Sequence, residues 1–148
     1  ATCVTRSLAV ALVRLGVHVR VGAPAGYQLQ SGGGEDAQSL DGPGSLVLTD
    51  DPYDAVRDAD AIYTDAWVSM GLEEEAERRR ADLAGFAVTP DLLRVAQSHA
   101  VVLHCLPAHR GEEILDEVLD SAASRVWRQV YHRRSAMVGV LRWIKGEK

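Results

Sequence analysis

The sequence predicts an α/β domain built on a mostly parallel, doubly wound sheet in three layers, and three observations lead there. Short apolar runs rich in branched residues alternate with stretches of helical periodicity. One run, Ala100-Val101-Val102-Leu103-His104-Cys105, is almost continuously apolar, which suits a strand covered on both faces. Strands that alternate with helices form parallel sheets with helices on either side. With 148 residues, 47% hydrophobic and 25% charged, the chain can bury one core as one domain; a disordered tail, a collagen-like fibre and a coiled coil are excluded.

The elements follow in order. Ser7, Leu8, Ala11, Leu12 and Leu15 recur at helical spacing, and Gly16 can stop that helix in a left-handed cap. Val17-His18-Val19-Arg20-Val21 reads as a strand closed by Gly22 and Pro24. Residues 30–45 are rich in glycine and predict a loop. Leu46-Val47-Leu48-Thr49 is a second strand, after which Asp51 as N-cap and Pro52 in the first turn start a short helix over 53–58. Ala59 to Thr64 is a third strand, followed by a loop through Gly71. Leu72 to Leu83 reads as a helix whose Glu74–Arg78 and Glu75–Arg79 pairs have the favourable order on a solvated face. Thr89-Pro90-Asp91 caps a short helix through Ala96; Leu106-Pro107 ends the fourth strand. Ser124-Arg125-Val126-Trp127 suggests a short last strand, and a final helix runs from about Val130 to Lys145.

Charge and composition narrow the function classes. The net charge is -5, yet from Arg125 onward seven basic residues face one acid, so the preceding body is strongly acidic. An acidic body argues against general nucleic-acid binding, while the basic tail is either a solvated helix face or an anion contact. Two cysteines, Cys3 and Cys105, are too few for a disulfide scaffold and point to a reducing compartment. The apolar runs fall short of the roughly 20 residues of a membrane span, and no charged-then-apolar leader opens the sequence. The expectation is a cytoplasmic protein with no membrane or nucleic-acid partner.

Ligands of open parallel sheets bind beyond the carboxyl ends of the strands. Two polar clusters fall there: Asp65 with Trp67-Val68-Ser69-Met70-Gly71, and His104-Cys105-Leu106-Pro107. A carboxylate can hold an ammonium group, and loop amides leading into a helix can hold a carboxylate, so together they suit an amino acid. Asp65 also reads as a capping or loop carboxylate, and Cys105 as a buried core thiol. His99 and His109 complete no recognisable ligand spacing with His104 and Cys105, so no metal is expected. No Gly-x-Gly-x-x-Gly turn follows a strand and no Gly-Lys-Ser/Thr loop occurs, which argues against a nucleotide cofactor.

Two long motifs carry a resemblance. Asp65-Ala66-Trp67-Val68-Ser69-Met70-Gly71, then His104-Cys105-Leu106-Pro107-Ala108-His109-Arg110-Gly111-Glu112-Glu113, closely resemble the C-terminal, ornithine-binding half of the ornithine carbamoyltransferase family. Leu15-Gly16-Val17-His18-Val19-Arg20, Ala23-Pro24-Ala25-Gly26-Tyr27 and Phe86-Ala87-Val88-Thr89 look like the same family, so the likeness covers nearly the whole chain. It implies a Rossmann-like fold and transfer of a carbamoyl group from carbamoyl phosphate to the δ-amine of L-ornithine, giving citrulline and phosphate in arginine biosynthesis. It implies that Asp65 orients an ornithine amino group, and that Ser69 and the amides around Met70 take the α-carboxylate. Cys105 and Leu106 would lie beside the reacting amine and the carbamoyl group, Cys105 positioning rather than attacking. Arg133 aligns with an arginine of the family's Glu-Asn-Arg segment that helps hold carbamoyl phosphate; Tyr131 and His132 replace the other two. No cofactor or metal is implied.

The departures set further expectations. Residues 1–148 read as the ornithine-binding domain without the family's carbamoyl-phosphate domain and its Ser-Thr-Arg-Thr-Arg motif. The first, central strand of the sheet is missing too, and Cys3 stands where the family has an ornithine-binding asparagine. Two strands flanking such a gap would expose unpaired backbone, so the chain is expected to self-associate or to join a carbamoyl-phosphate-binding partner. A carbamoyltransferase for another amine such as putrescine or N-acetylornithine stays open, as do a non-catalytic or regulatory amino-acid-binding module and an anion-surface binder.

Overall fold

A computed structural model describes residues 3–29, 42–68 and 71–147. Helix α1, Cys3–Arg14, leads into strand β1, His18–Gly22, and strand β2 spans Ser45–Thr49. Gly16 sits between α1 and β1 at φ 86°, in the left-handed region that glycine enters without strain. Helix α2 is Pro52–Val56, and its N-cap Asp51 accepts hydrogen bonds from the Tyr53 and Asp54 amides. Strand β3 covers Ala61–Thr64, helix α3 Ala76–Leu83, and helix α4 Pro90–Leu93 with Thr89 as a side-chain cap. Strand β4 is Val101–His104, helix α5 Asp116–Leu119, and the long helix α6 Val126–Ile144.

The strands pair in parallel, but as two separate two-stranded ladders rather than one sheet. β1 runs beside β2 from His18↔Ser45 to Gly22↔Thr49, and β3 beside β4 from Ala61↔Val101 to Thr64↔His104. Among the described residues no ladder joins the two pairs. Among the described residues the expected single sheet is thus divided into two pairs. Helices α1 and α2 both pack on the β1–β2 pair, α6 on β4. At Gly22 a Cβ would lie 2.7 Å from the Ala55 Cβ of α2, a close approach that a larger residue would push apart.

The core gathers around the β3–β4 pair: Val56, Ile62, Val88, Leu92, Val102, Ile114, Val118, Leu119 and Val126 form one buried cluster. The expected strand over 124–127 shrinks to a single bridge between Ser124 and Val102. Val126 is buried in the core as the first residue of α6, and the Arg125 carbonyl accepts the Gln129 amide, so helical bonds replace the ladder. Beyond its first turn α6 leaves the core: Tyr131, Met137, Val140, Leu141, Trp143 and Ile144 are all exposed, Trp143 by 78%. The predicted loop over 30–45 lies mostly outside the described residues.

Candidate functional site

The register Thr64↔His104 makes Asp65 and Cys105 the next residues past the carboxyl ends of adjacent parallel strands. Neighbours in parallel register share a face, so the two side chains point the same way. The Cys105 thiol donates to Asp65 Oδ1 at 2.8 Å. That oxygen also accepts the Ala66 amide at 2.9 Å, and Oδ2 accepts the Thr5 hydroxyl of α1 at 3.4 Å. The start of α1 is thereby tied to the end of β3, across the divide between the strand pairs.

Electrostatics keep the thiol protonated. Burial, then the hydrogen bond to Asp65, push Cys105 from an ordinary 9.0 up to about 11. At neutral pH the sulfur is a hydrogen-bond donor and an unactivated nucleophile.

Below this pair lies a buried polar network. His104 and Glu113 are completely enclosed, with Nε2 and Oε1 3.0 Å apart. The Leu106 amide donates to His104 Nδ1 at 2.8 Å, so Nδ1 is the acceptor and Nε2 carries the proton given to Glu113. Glu113 Oε1 also accepts the His109 amide at 2.6 Å. Burial pushes the Glu113 carboxyl up, but the His104 and His109 hydrogen bonds outweigh it and hold the group below its ordinary 4.5. Leu106, the residue after Cys105, has φ 56°, a left-handed conformation that strains a branched side chain. The bond from its amide to His104 helps hold it there.

Helix α6 reaches the site through Gln129, whose Oε1 accepts the His104 amide at 3.2 Å and whose Nε2 donates to the Tyr63 hydroxyl at 3.3 Å. Burial raises the Tyr63 pKa; Gln129 opposes this, Cys105 and Asp65 add to it, and the Arg133 charge opposes it. Arg133 is therefore within electrostatic reach of the same end of β3, although its side chain is exposed. Ser69 and Met70 lie outside the described residues, so the loop expected to hold a carboxylate is seen only at its flanks, Trp67-Val68 and Gly71. The Trp67 carbonyl accepts Arg79 of α3 at 3.4 Å, and Arg79 pairs with Glu75 at 2.9 Å. Structure thus brings Asp65 and Cys105 into contact with Leu106 next in the chain, and Arg133 acts on Tyr63 only as a charge at a distance. Tyr63, Gln129 and Glu113 were missed by sequence reasoning: a lone glutamine one turn before Arg133, and a glutamate inside a charged run, carry no spacing signal of their own.

Comparison with known proteins agrees along the chain. The family described as aspartate/ornithine carbamoyltransferase, Asp/Orn binding domain, matches residues 1–144. The ornithine carbamoyltransferase of Parasynechococcus marenigrum is 45% identical over 144 residues, 97% of this chain and 45% of that protein. The anabolic ornithine carbamoyltransferase of Pyrococcus furiosus is 44% identical over 145 residues, 97% of this chain and 46% of that protein. Among solved structures, the P. furiosus ornithine carbamoyltransferase has a TM-score of 0.79 at 43% identity, over 92% of this chain and 44% of that one. Anabolic ornithine carbamoyltransferase from Campylobacter jejuni has a TM-score of 0.86 at 27% identity, over 97% of this chain and 48% of that one. The chain spans about half the length of the relatives it matches. With its parallel strand pairs, its Asp65–Cys105 rim and this agreement over residues 1–144, the chain belongs to the aspartate/ornithine carbamoyltransferase family and corresponds to its Asp/Orn-binding domain.

Proposed function

We propose that this chain is the ornithine-binding half of an ornithine carbamoyltransferase and, with a carbamoyl-phosphate-binding half, forms citrulline. The observation that carries the reading is the 2.8 Å contact of Cys105 with Asp65 at the carboxyl ends of two parallel strands, the crevice where such sheets bind ligands. The Asp65 carboxylate orients an amino group of ornithine, whose ammonium competes with Thr5 for Oδ2. Ser69 and the amides around Met70 receive the α-carboxylate. Cys105 and Leu106 flank the reacting amine, and Arg133 reaches toward carbamoyl phosphate from α6.

The reaction needs the amine as free base, at a cost set by a pKa of about 10.4 for a group of this type. Burial beside Leu106 lowers that cost, and positioning lowers it further. The nitrogen lone pair attacks the carbamoyl carbon, a C–N bond forms, the C–O bond to phosphate breaks, and phosphate leaves with the bonding pair while nitrogen loses a proton. Cys105 keeps its proton at neutral pH and acts as a donor that positions, so no covalent enzyme intermediate is required.

The divided strand pairs and the exposed apolar length of α6 support a chain completed by further polypeptide, either a carbamoyl-phosphate-binding domain or a second copy. No helix among the described residues is long and apolar enough to cross a membrane. The free thiol of Cys105 fits the cytoplasmic location that forms part of this reading. Tyr131 and His132, packed edge to face at 5.7 Å, stand where the resemblance expects glutamate and asparagine and favour a second reading, a non-catalytic amino-acid-binding module.

Reconstitution separates the two. The purified chain alone should form no citrulline, and mixing it with the carbamoyl-phosphate-binding half of a relative should produce citrulline in a manner lost with Asp65→Ala. Citrulline from the chain alone contradicts the proposed division of labour, and a stable but inactive complex that still binds ornithine favours the non-catalytic module.

A further inference from the structure

The turn after β4 holds a second cluster of ionisable groups that the carbamoyl reading does not use. His109, Glu112 and Glu113 each offer a ligand atom, and these atoms lie within 4.8 Å of one another. Glu113 is fully enclosed, and its Oε2 has no hydrogen-bond partner. His109 Nδ1 is buried without a hydrogen-bond partner as well, 3.5 Å from Glu113 Oε1, although the rest of the imidazole is part-exposed. A carboxylate oxygen and an imidazole nitrogen of this turn are therefore shut away from water without a hydrogen bond, an arrangement that costs free energy.

The turn is rigid enough to hold them so. The Gly111 amide donates to the Ile114 carbonyl at 3.0 Å, the Glu112 amide to the His109 carbonyl at 3.0 Å, and the Val88 amide to the Glu113 carbonyl at 2.9 Å. Glu112 Oε1 pairs with Arg80 Nε at 2.9 Å, which leaves its second oxygen for another partner. Arg80 offsets one of the two carboxylate charges.

We propose that His109, Glu112 and Glu113 form a binding site for a divalent cation of the zinc class. One imidazole nitrogen and two carboxylate oxygens make a donor set suited to such ions, with a remaining position for water. Bound there, the cation would engage the buried Glu113 carboxylate and the His109 imidazole and cross-link the turn that begins at Cys105 and Leu106. Sequence spacing did not suggest it, because His109-x-x-Glu112-Glu113 lies on a turn and matches no helical or paired-cysteine ligand pattern. The proposal is independent of which amine or carbamoyl donor the chain serves.

Cobalt(II) titration of the whole chain, followed by visible absorption, tests it. One equivalent should give ligand-field bands without a thiolate charge-transfer band. His109→Ala and Glu112→Gln, both at partly exposed positions, should each weaken binding at least about tenfold while far-ultraviolet circular dichroism stays unchanged. Cys105→Ser should bind as the wild type does. Zinc should raise the melting temperature of the wild type and not of His109→Ala. Absence of stoichiometric binding, equal binding by wild type and both turn variants, or a thiolate band that vanishes in Cys105→Ser each overturns the proposal, the last by moving the cation to the Asp65–Cys105 rim.

Discussion

The Cys105 thiol donates to the Asp65 carboxylate at 2.8 Å across 40 residues of sequence, because the strands they follow are adjacent and parallel. This single bond ties the two motifs of the candidate site into one rim. It also sets the chemistry of the sulfur, since a carboxylate acceptor and partial burial both favour the thiol over the thiolate.

Cys105 should therefore alkylate slowly at neutral pH. In a Cys3→Ser background, its rate with iodoacetamide should climb with pH toward about 11. Asp65→Asn should shift the profile toward the ordinary value by removing the carboxylate. The native thiol holds its proton to higher pH than the unfolded one. Its contribution to stability is accordingly complete below pH 9.0 and lost as pH rises toward about 11. A profile centred on the ordinary value in the wild type contradicts this account of the rim.

The enclosed His104–Glu113 pair should matter more for stability than any surface ion pair. Glu113→Ala strands the His104 Nε2 proton and the His109 amide without their acceptor, and each buried donor left unsatisfied costs about 1–3 kcal/mol, readable by urea denaturation. The Glu113 carboxyl sits below its ordinary 4.5 when folded, so its stabilisation is present above that pH and drains away as pH falls through the folded value. Glu113→Gln should flatten the acid limb of the stability curve; an unchanged limb contradicts the assignment.

The exposed apolar side chains of helix α6 should make the chain adhesive. Leu141, Trp143 and Ile144 are exposed by 55%, 78% and 67% on a helix that leaves the core after its first turn. Analytical ultracentrifugation should show concentration-dependent association, reduced by Trp143→Glu and Ile144→Glu together. A monomer across the accessible range, unaffected by these changes, would mean the apolar surface is satisfied within the chain.

Local signals were readable in the sequence where one residue does one job. Asp51 before Pro52, Thr89 before Pro90 and Gly16 after a helical run all behave as their chemistry dictates. Asp65 and Cys105 were also legible, because both follow apolar strands whose parallel pairing brings their ends together. The misread elements depend on distant partners. Val126 looks like strand on its branched side chain, yet burial of that side chain in the core is met by starting a helix there. Gln129 bridges His104 and Tyr63 only because α6 docks on β4, a contact no local pattern announces. Glu113 sits in the charged run His109-Arg110-Gly111-Glu112-Glu113, which carries no periodic signal of burial, and only the fold turns it inward.

Calorimetry of the whole chain with L-ornithine, beside Asp65→Asn and Cys105→Ala, tests the central claim most directly. Saturable heat with ornithine that Asp65→Asn abolishes, and Cys105→Ala weakens, is the predicted result. Heat that persists unchanged in Asp65→Asn, or no saturable heat with any basic amino acid, contradicts an amine site at this rim.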